Sequence, residues 1–517
     1  MMKILLYFET LVYLKPKQVF YQIAYRLYRP SLKNVSAPAM LKHLKIIPPI
    51  SKNKCYDGKD FVFLNIKDDF HTWCQTEHGM LWAYNLNYMD WLQEDGISDK
   101  EGEAWIDKFI QDLSQNHVGQ DTYPTALRTI NWVKFFCKYP ECATKERCDS
   151  LYSQVKLVER ELEWHLLGNH LLEDIYALFI ASIYFCDYKL YNKASKLLKK
   201  QLNDQILLDG AHFEQSPMYH CILLDRLLDC YNFSVNNILF DQQTIANSYL
   251  KDKAEKMLGH LESIIWQDGS IPLLNDSVYG IAPSSEQLFD YARRLGLTWK
   301  SIPLNECGYR KMKSKRFEAI IDIGNIMSPW QPGHSHADTF SYELHVDDIP
   351  FVVDTGISTY NKTLRRQYER STAAHNTVTI QNQDSSRVWG GFRMGRRAKV
   401  KIIKDSTEEI MAEHEGFGML GKHCRRIFFD KLGLHIEDYI DSEVKAISYI
   451  HFAPGMSVSV GENHELIYAD KYIIRQTGCD NPVIIESEMS KEYNQLINNV
   501  VVALPFTGRL SYTFVYE

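Results

Sequence analysis

The chain has 517 residues, 45% of them hydrophobic and 13% aromatic, enough to bury the cores of two or three domains and too apolar for a disordered chain. Its formal net charge of −7 argues against a nucleic-acid partner. The eleven cysteines are odd in number and show no CxxC pair, so they read as reduced thiols packed as small apolar side chains, not as a disulfide framework.

The opening, MMKILLYFETLVYLKPKQVFYQIAYRLYRP, starts apolar, but Glu9 interrupts it and no small-residue cleavage site follows. It fits an amphipathic helix better than a signal peptide, so the expected location is cytoplasmic, with the periplasm as the alternative. No run of eighteen apolar residues occurs anywhere, and no transmembrane helix is expected. Pro30, Pro38, Pro48 and Pro49 mark an irregular stretch up to about residue 60. From LWAYNLNYMDWL at 81–92 the pattern turns helical. Apolar residues recur at threes and fours through EAWIDKFIQDLSQN, ALRTINWVKFFCKY, LYSQVKLVERELEWHLL, LLEDIYALFIASIYF, KASKLLKKQLNDQIL, YHCILLDRLLDCYNF and KAEKMLGHLESII. Near residue 305 the period falls from 3.6 to 2. RFEAIIDIG, FSYELHV, IPFVVDTG, NTVTI, AKVKII, EEIMAEHEG, HCRRIFFD, LGLHIEDYI, SYIHFA, KYIIRQT, NPVIIES, VVALPF and LSYTFVYE then read as strands. Asp347-Asp348 suits a tight hairpin turn between two of them. Helices followed by strands predict an α+β multidomain protein: a helical domain over 1–305 and an antiparallel β-sandwich over 306–517, joined within SIPLNECGYRKMKSK.

Several polar groups stand out against this frame. In HLLGNHLLEDIYAL, Asn169 and His170 lie at the start of an apolar helical run, where side-chain and backbone N–H groups can meet an oxyanion. Glu173, one turn on, is placed to orient the His170 ring. An N-cap beside a satisfied histidine is the commoner event for such a pair. DGAHFEQSPMYHC gathers Glu214, Ser216, Pro217, Tyr219 and His220 at a turn between helices. Tyr219 either points its phenol into a cleft or packs in the core. GHSHADTF carries His334 and His336, an apolar strand ends at Asp354, and His375 precedes Asn376-Thr377. Imidazoles and a carboxylate from separate segments suit a divalent metal such as zinc, with one imidazole of the His-x-His free to turn toward substrate. The alternative is loop histidines paired with local carbonyls. Between 361 and 400 nine Lys/Arg stand against two acids, either an anion site or a solvated basic face.

The pieces WAYNLNYMDWL, YPTALRTINW, HLLGNHLLEDIYAL, DGAHFEQSPMYH, GHSHADTFSYEL, DTGISTY and RSTAAHNTVTI occur in the order seen in the heparinase II/III-like polysaccharide lyases. Over about residues 80–400 the chain resembles that family, and the remaining strands suit its C-terminal domain. The resemblance implies an incomplete (α/α) toroid joined to an antiparallel β-sandwich, with a cleft between them. It implies that Asn169 and His170 engage a substrate carboxylate, that Tyr219 and His334 are catalytic, and that Arg128, Glu173, Glu214 and Arg370 contact substrate. It also implies that His336, Asp354 and His375 hold one structural divalent metal, usually zinc. Arg370 matches an R-x-T-x-x-H-N pattern ending at His375 and Asn376. The implied reaction is β-elimination on an anionic, uronic-acid-containing polysaccharide. His, Tyr and Asn suit it, whereas a glycoside hydrolase wants two carboxylates across the bond. The opening YLKPKQVFYQIAYRLYRP is similar to members associated with bacterial exopolysaccharide or capsule synthesis. A self-made polymer is therefore an expected substrate, and a non-catalytic glycan-binding or assembly protein is the alternative.

Overall fold

The computed structural model describes residues 2–38 and 44–515. Residues 39–43 of the proline-containing stretch, and Tyr516 and Glu517 at the end of the last expected strand, lie outside the described residues. Two short helices open the chain, α1 (Met2–Leu11) and α2 (Pro16–Leu27). A β-hairpin that the sequence pattern did not announce follows, Asp60–Phe63 against Ile66–Asp69. It is too short to show an alternation of its own.

Among the described residues nine α-helices then follow in hairpins: α3 (Met80–Tyr88), α4 (Asp99–Asp112), α5 (Thr122–Lys138), α6 (Lys145–Arg160), α7 (Gly168–Tyr184), α8 (Tyr188–Gln205), α9 (Pro217–Asn236), α10 (Gln243–Ile264) and α11 (Ser285–Arg294). Helix α5 packs on α3 and α7, α7 on α9, and α9 on α11, so the odd-numbered helices form an inner layer. The even-numbered helices pair back against them. Burial separates the layers. Sixteen of the seventeen residues of α7 are buried, against three of fourteen in α4. A helix apolar all round belongs inside, and one with a single stripe belongs outside. The result is an incomplete (α/α) toroid. Helix α6 ends at Arg160, so the ELEWHLL expected as its last turns is an irregular segment, and that segment reaches the site described below.

The second part begins at Tyr309, fifteen residues beyond Arg294, and is built of antiparallel sheets. An eight-stranded sheet runs in the order Val400–Asp405, Glu409–His414, His423–Phe429, Gly433–Ile440, Arg509–Val515, Tyr472–Thr477, Leu466–Ala469 and Val458–Val460. A four-stranded sheet orders Val483–Glu492, Gln495–Thr507, Lys445–His451 and Val378–Ile380. Another orders Tyr309–Ser314, Phe317–Asp322, Tyr342–Val346 and Ile349–Val352, and a bridge from Val352 to Phe452 links the two. Buried residues alternate with half-buried ones along Glu409–His414 and, up to Ile450, with exposed or half-buried ones along Lys445–His451, the signature of strands with one face on a core. Ile436, Tyr512 and Phe514 from the large sheet share that core with Leu344, Val352, Ile450 and Val502 from the smaller ones, as a sandwich requires. Asp347 and Asp348 both take left-handed backbone (φ 53° and 64°), which makes the expected tight turn of the type that two-residue hairpins favour. The strand Tyr309–Ser314 falls within the stretch expected to be a linker.

Candidate active site

A cleft of about 820 Å³ opens between the toroid, the sandwich and the α1–α2 hairpin. His170, Glu173 and Tyr219 line it from the toroid, and His334, Tyr360 and Arg393 from the sandwich. Ser216 caps α9, its hydroxyl accepting from the Tyr219 N–H at 3.2 Å, and Pro217 fills the first helical position. Tyr219 therefore sits on a rigid first turn. Its ring packs on that of His334 with centroids 3.9 Å apart, across 115 residues of sequence. Its hydroxyl lies 3.2 Å from that of Tyr360, and the Tyr360 hydroxyl lies 3.3 Å from His334 Nδ1. Burial pushes the Tyr219 phenol well above its ordinary range, with Asp276 and Glu214 adding to it, so the proton stays on oxygen at neutral pH. Arg366 acts in the opposite sense but does not offset burial.

Asn169 stands where α7 begins. Its amide Nδ2 donates to Glu214 Oε2 (2.7 Å) and faces His334 Nε2 (3.1 Å), and its backbone N–H donates to Glu214 Oε1 (2.8 Å). The helix N-terminus thus already holds a protein carboxylate. Gly168 makes this possible: its φ is +59°, and a Cβ there would lie 2.1 Å from Glu214 Oε1. His170 turns the other way, toward the cleft. Its Nδ1 faces Glu163 Oε2 at 3.0 Å, and its ring lies against Tyr123. Burial lowers the His170 pKa, but the Glu163 carboxylate more than offsets this and the net shift is upward. Glu173, expected to orient His170, does not; Glu163, from the irregular segment after α6, takes that part. Glu173 lines the cleft with both carboxylate oxygens free of hydrogen bonds and Arg226 at 3.7 Å, and burial pushes its pKa up to about 7.

Three of the expected substrate contacts are internal struts instead. Arg128 is fully buried and donates to Gln154, the Asn87 carbonyl and the Gly119 carbonyl. Burial alone lowers its pKa to about 9. Glu214 is 1% exposed and spends its carboxylate on Asn169, with His334 Nε2 at 3.4 Å. Arg370 donates to the carbonyls of Ser335, Pro332 and Arg393, fixing the loop that carries His334 and His336. The basic run over 361–400 is largely consumed in the same way: Arg365 meets Glu369, Arg387 meets Glu9, and Arg397 donates to the Pro329 carbonyl.

The organising carboxylate is Asp276, in the segment between α10 and α11. It accepts from both terminal nitrogens of Arg366 (2.5 and 2.7 Å), faces His334 Nδ1 (3.0 Å) and faces His336 Nε2 (2.8 Å). Burial would raise its pKa, but Arg366 and the two imidazoles hold it well below the carboxylate range. Both imidazoles of the His-x-His are thereby oriented by one anion.

Of the expected metal ligands, His375 Nδ1 meets Asp354 Oδ2 at 2.7 Å, and the His336 and His375 rings lie 5.2 Å apart. With His336 Nε2 held by Asp276 and His375 Nδ1 held by Asp354, the opposite nitrogens, His336 Nδ1 and His375 Nε2, are buried without partners. So is Asp338 Oδ2. Imidazoles that give one N–H to a carboxylate and keep the other nitrogen bare are what a divalent ion uses. The donor set has the chemistry of a divalent-metal site, with Asp338 as an additional carboxylate that the sequence pattern did not single out. In this arrangement Asp354 orients His375. Ligand atoms already drawn close together occur at Asp209, His260 and Cys307, which are buried, and at Asp68, Asp69 and His71 near the surface.

Two family profiles match the chain, "Heparinase II/III N-terminus" over residues 149–293 and "Heparinase II/III-like, C-terminal" over 297–511. Heparin-sulfate lyase of Pedobacter heparinus is 23% identical over 350 residues, covering 61% of this chain and 50% of that protein. Heparin-sulfate lyase of Bacteroides thetaiotaomicron is 22% identical over 393 residues, covering 67% of this chain and 53% of that one. The chain thus spans about half the length of these curated relatives. Among solved structures, a heparinase III shares the fold at a TM-score of 0.65 with 15% identity, over 97% of this chain and 85% of that one. The chain belongs to the heparinase II/III family.

Proposed function

We propose that this member of the heparinase II/III family is a polysaccharide lyase that cleaves a uronic-acid-containing polymer by β-elimination, leaving a 4,5-unsaturated uronate end. The observation that carries the reading is the convergence of Tyr219, His334 and His170 at one cleft, with Tyr219 and His334 in ring contact and Asn169 buried behind His334. Elimination needs the weakly acidic C5 proton removed and the glycosidic oxygen protonated as it leaves. A protonated, buried Tyr219 fits the donor. His334 fits the base: with Nδ1–H given to Asp276, the lone pair is on Nε2, where Asn169 Nδ2 can donate to it, and Glu214 holds that amide in turn. His170, whose pKa Glu163 raises, fits the partner of the uronate carboxylate, with the buried Asn169 behind His334. Neutralising that carboxylate counts most as negative charge grows at C5. Tyr360 lies within hydrogen-bond distance of the Tyr219 hydroxyl and of His334 at Nδ1, away from the base nitrogen, and so helps to position both rings.

The reading includes one divalent ion, zinc, held by His336 and His375 with carboxylate help from Asp354 or Asp338. Its contribution is structural, a tie between the His334–His336 loop and the strands behind it.

The substrate class follows from the chemistry: an anionic polymer whose carboxylate His170 can meet. The curated relatives are described as heparin-sulfate lyases, and a glycosaminoglycan-like or bacterial exopolysaccharide chain suits the same cleft. A binding protein without turnover has no need of a protonated tyrosine stacked on a carboxylate-oriented histidine, so the catalytic reading is preferred. The test is a panel of uronic polysaccharides incubated with the protein and followed by the ultraviolet absorbance of unsaturated uronate. Rising absorbance on at least one polymer supports the proposal. Tight binding with no absorbance on any polymer supports the assembly-protein alternative.

A further inference from the structure

Helices α1 and α2 carry their amphipathicity the wrong way round for a protein surface. Two of their polar residues face the body: Glu9 accepts from Arg387 (2.8 Å) and the Arg396 N–H (3.2 Å), and Gln18 donates to the carbonyls of Leu166 (3.2 Å) and Trp330 (3.1 Å). Their apolar residues face out. Ile4, Phe8 and Val12 are 75%, 65% and 61% exposed, and Phe20, Ile23 and Leu27 are 64%, 54% and 83% exposed. The spacing puts each trio along one face of its helix. A contiguous apolar face of this kind marks a surface that something covers.

The charges around it indicate what does. Between residues 4 and 33 the chain carries Lys15, Lys17, Arg26, Arg29 and Lys33 against the single acid Glu9, which is itself paired inward, in a protein whose net charge is −7. Arg29 is spent on Asp121 and Glu161, and Lys15 and Lys17 rest over the Trp330 and Trp164 rings but keep their charges without a carboxylate partner among the described residues, so Lys15, Lys17, Arg26 and Lys33 supply the positive charge of this face. Apolar side chains flanked by Lys, Arg and Tyr make up an interfacial helix drawn to anionic headgroups. A second copy of the chain seated on this face would bring two sets of these cations together. The helices have ten and twelve residues, so at about 1.5 Å per residue neither spans a bilayer core of roughly 30 Å, and both suit lying in its surface.

We propose that the outward face of the α1–α2 hairpin docks on an anionic lipid surface, with Phe8, Phe20, Ile23 and Leu27 entering the headgroup–acyl boundary. The hairpin also supplies Gln18 and Arg26 to the cleft wall, so docking sets the mouth of the cleft beside the bilayer. The inference does not depend on the reaction proposed above.

The test is co-sedimentation of the full chain with vesicles of phosphatidylcholine alone and of phosphatidylcholine with phosphatidylglycerol, alongside light scattering without lipid. The protein is expected to pellet with the anionic vesicles and to be released as salt rises. Phe20→Glu/Ile23→Glu, two residues outside the cleft lining, should weaken binding by at least about tenfold. Phe8→Glu/Val12→Glu should do the same, each pair being checked for native circular dichroism. Leu208→Glu, on an 86% exposed residue of the toroid, should change nothing. Absence of binding to anionic vesicles would overturn the proposal. So would equal binding to phosphatidylcholine alone, or a lipid-free dimer that the hairpin variants dissociate.

Discussion

Replacing Tyr219 by Phe removes one oxygen and keeps the ring against His334, so it separates proton transfer from packing. The hydrogen bond lost is the 3.2 Å contact with Tyr360, a neutral pair worth about 0.5–1.5 kcal/mol. A purely structural role therefore limits the fall in turnover to roughly tenfold, since about 1.4 kcal/mol is one decade. Loss of the proton donor instead costs roughly 10²–10⁴ in kcat, or about 2.7–5.4 kcal/mol of transition-state stabilisation. KM should stay near the wild-type value, because the phenol acts as the leaving oxygen takes its charge. Initial rates from uronate absorbance, with a melting temperature for each variant, provide the comparison. Tyr360→Phe deletes that hydrogen bond and the 3.3 Å contact with His334 Nδ1 but leaves the Tyr219 phenol in place, so it should cost less than Tyr219→Phe, about one to two decades at most. A Tyr219→Phe enzyme with kcat within about threefold of wild type, or the two variants falling equally, would refute the assignment.

Glu163→Gln should lower the His170 pKa and move the alkaline limb of kcat/KM to lower pH, because Glu163 is what raises it. The sign is that of a cation stabilised on folding: the pairing contributes fully below the ordinary imidazole pKa and is lost as pH rises through the elevated one, so the variant's stability deficit should appear at low pH and vanish at high pH. Asp276→Asn leaves the fully buried Arg366 charge without its partner and should cost about 3–5 kcal/mol in denaturant unfolding; Arg366→Met added to it should recover part of the loss. An unchanged midpoint would show that Asp276 is not the hub. Protein purified without added metal should contain about one equivalent of zinc under the single-site reading, and His375→Ala should lose the metal and lower the melting temperature together. A metal-free wild type with the same melting temperature would remove the structural ion.

The sequence made the architecture legible because hydrophobic period is a local property. The change from 3.6 to 2 near residue 305 is visible in any window, and so is the burial of α7 on all sides. The catalytic candidates were legible as an ordered set of motifs, and Tyr219 and His334 do meet across the junction of the two parts. Their supports were not. Asp276 lies in LLNDSVYG, with nothing in its neighbourhood to distinguish it, and gains its importance only when His334, His336 and Arg366 arrive from at least 58 residues away. Glu163 was hidden by a helical pattern that stops at Arg160. Arg128 and Arg370 looked available for an anion because sequence gives a charge but not its burial, and backbone carbonyls consume both guanidinium groups. The excess of cations over 361–400 misleads in the same way.

The fate of solvent oxygen at the cleaved bond tests the central claim most directly. A uronic polymer found active in the panel is digested in oxygen-18-labelled water, and the new ends are weighed by mass spectrometry. Elimination predicts a chain end with a C4–C5 double bond, ultraviolet absorbance in proportion to bonds cut, and no label incorporated by cleavage. One labelled oxygen per cut with no rise in absorbance would mean hydrolysis, and would contradict the roles given to Tyr219, His334 and His170.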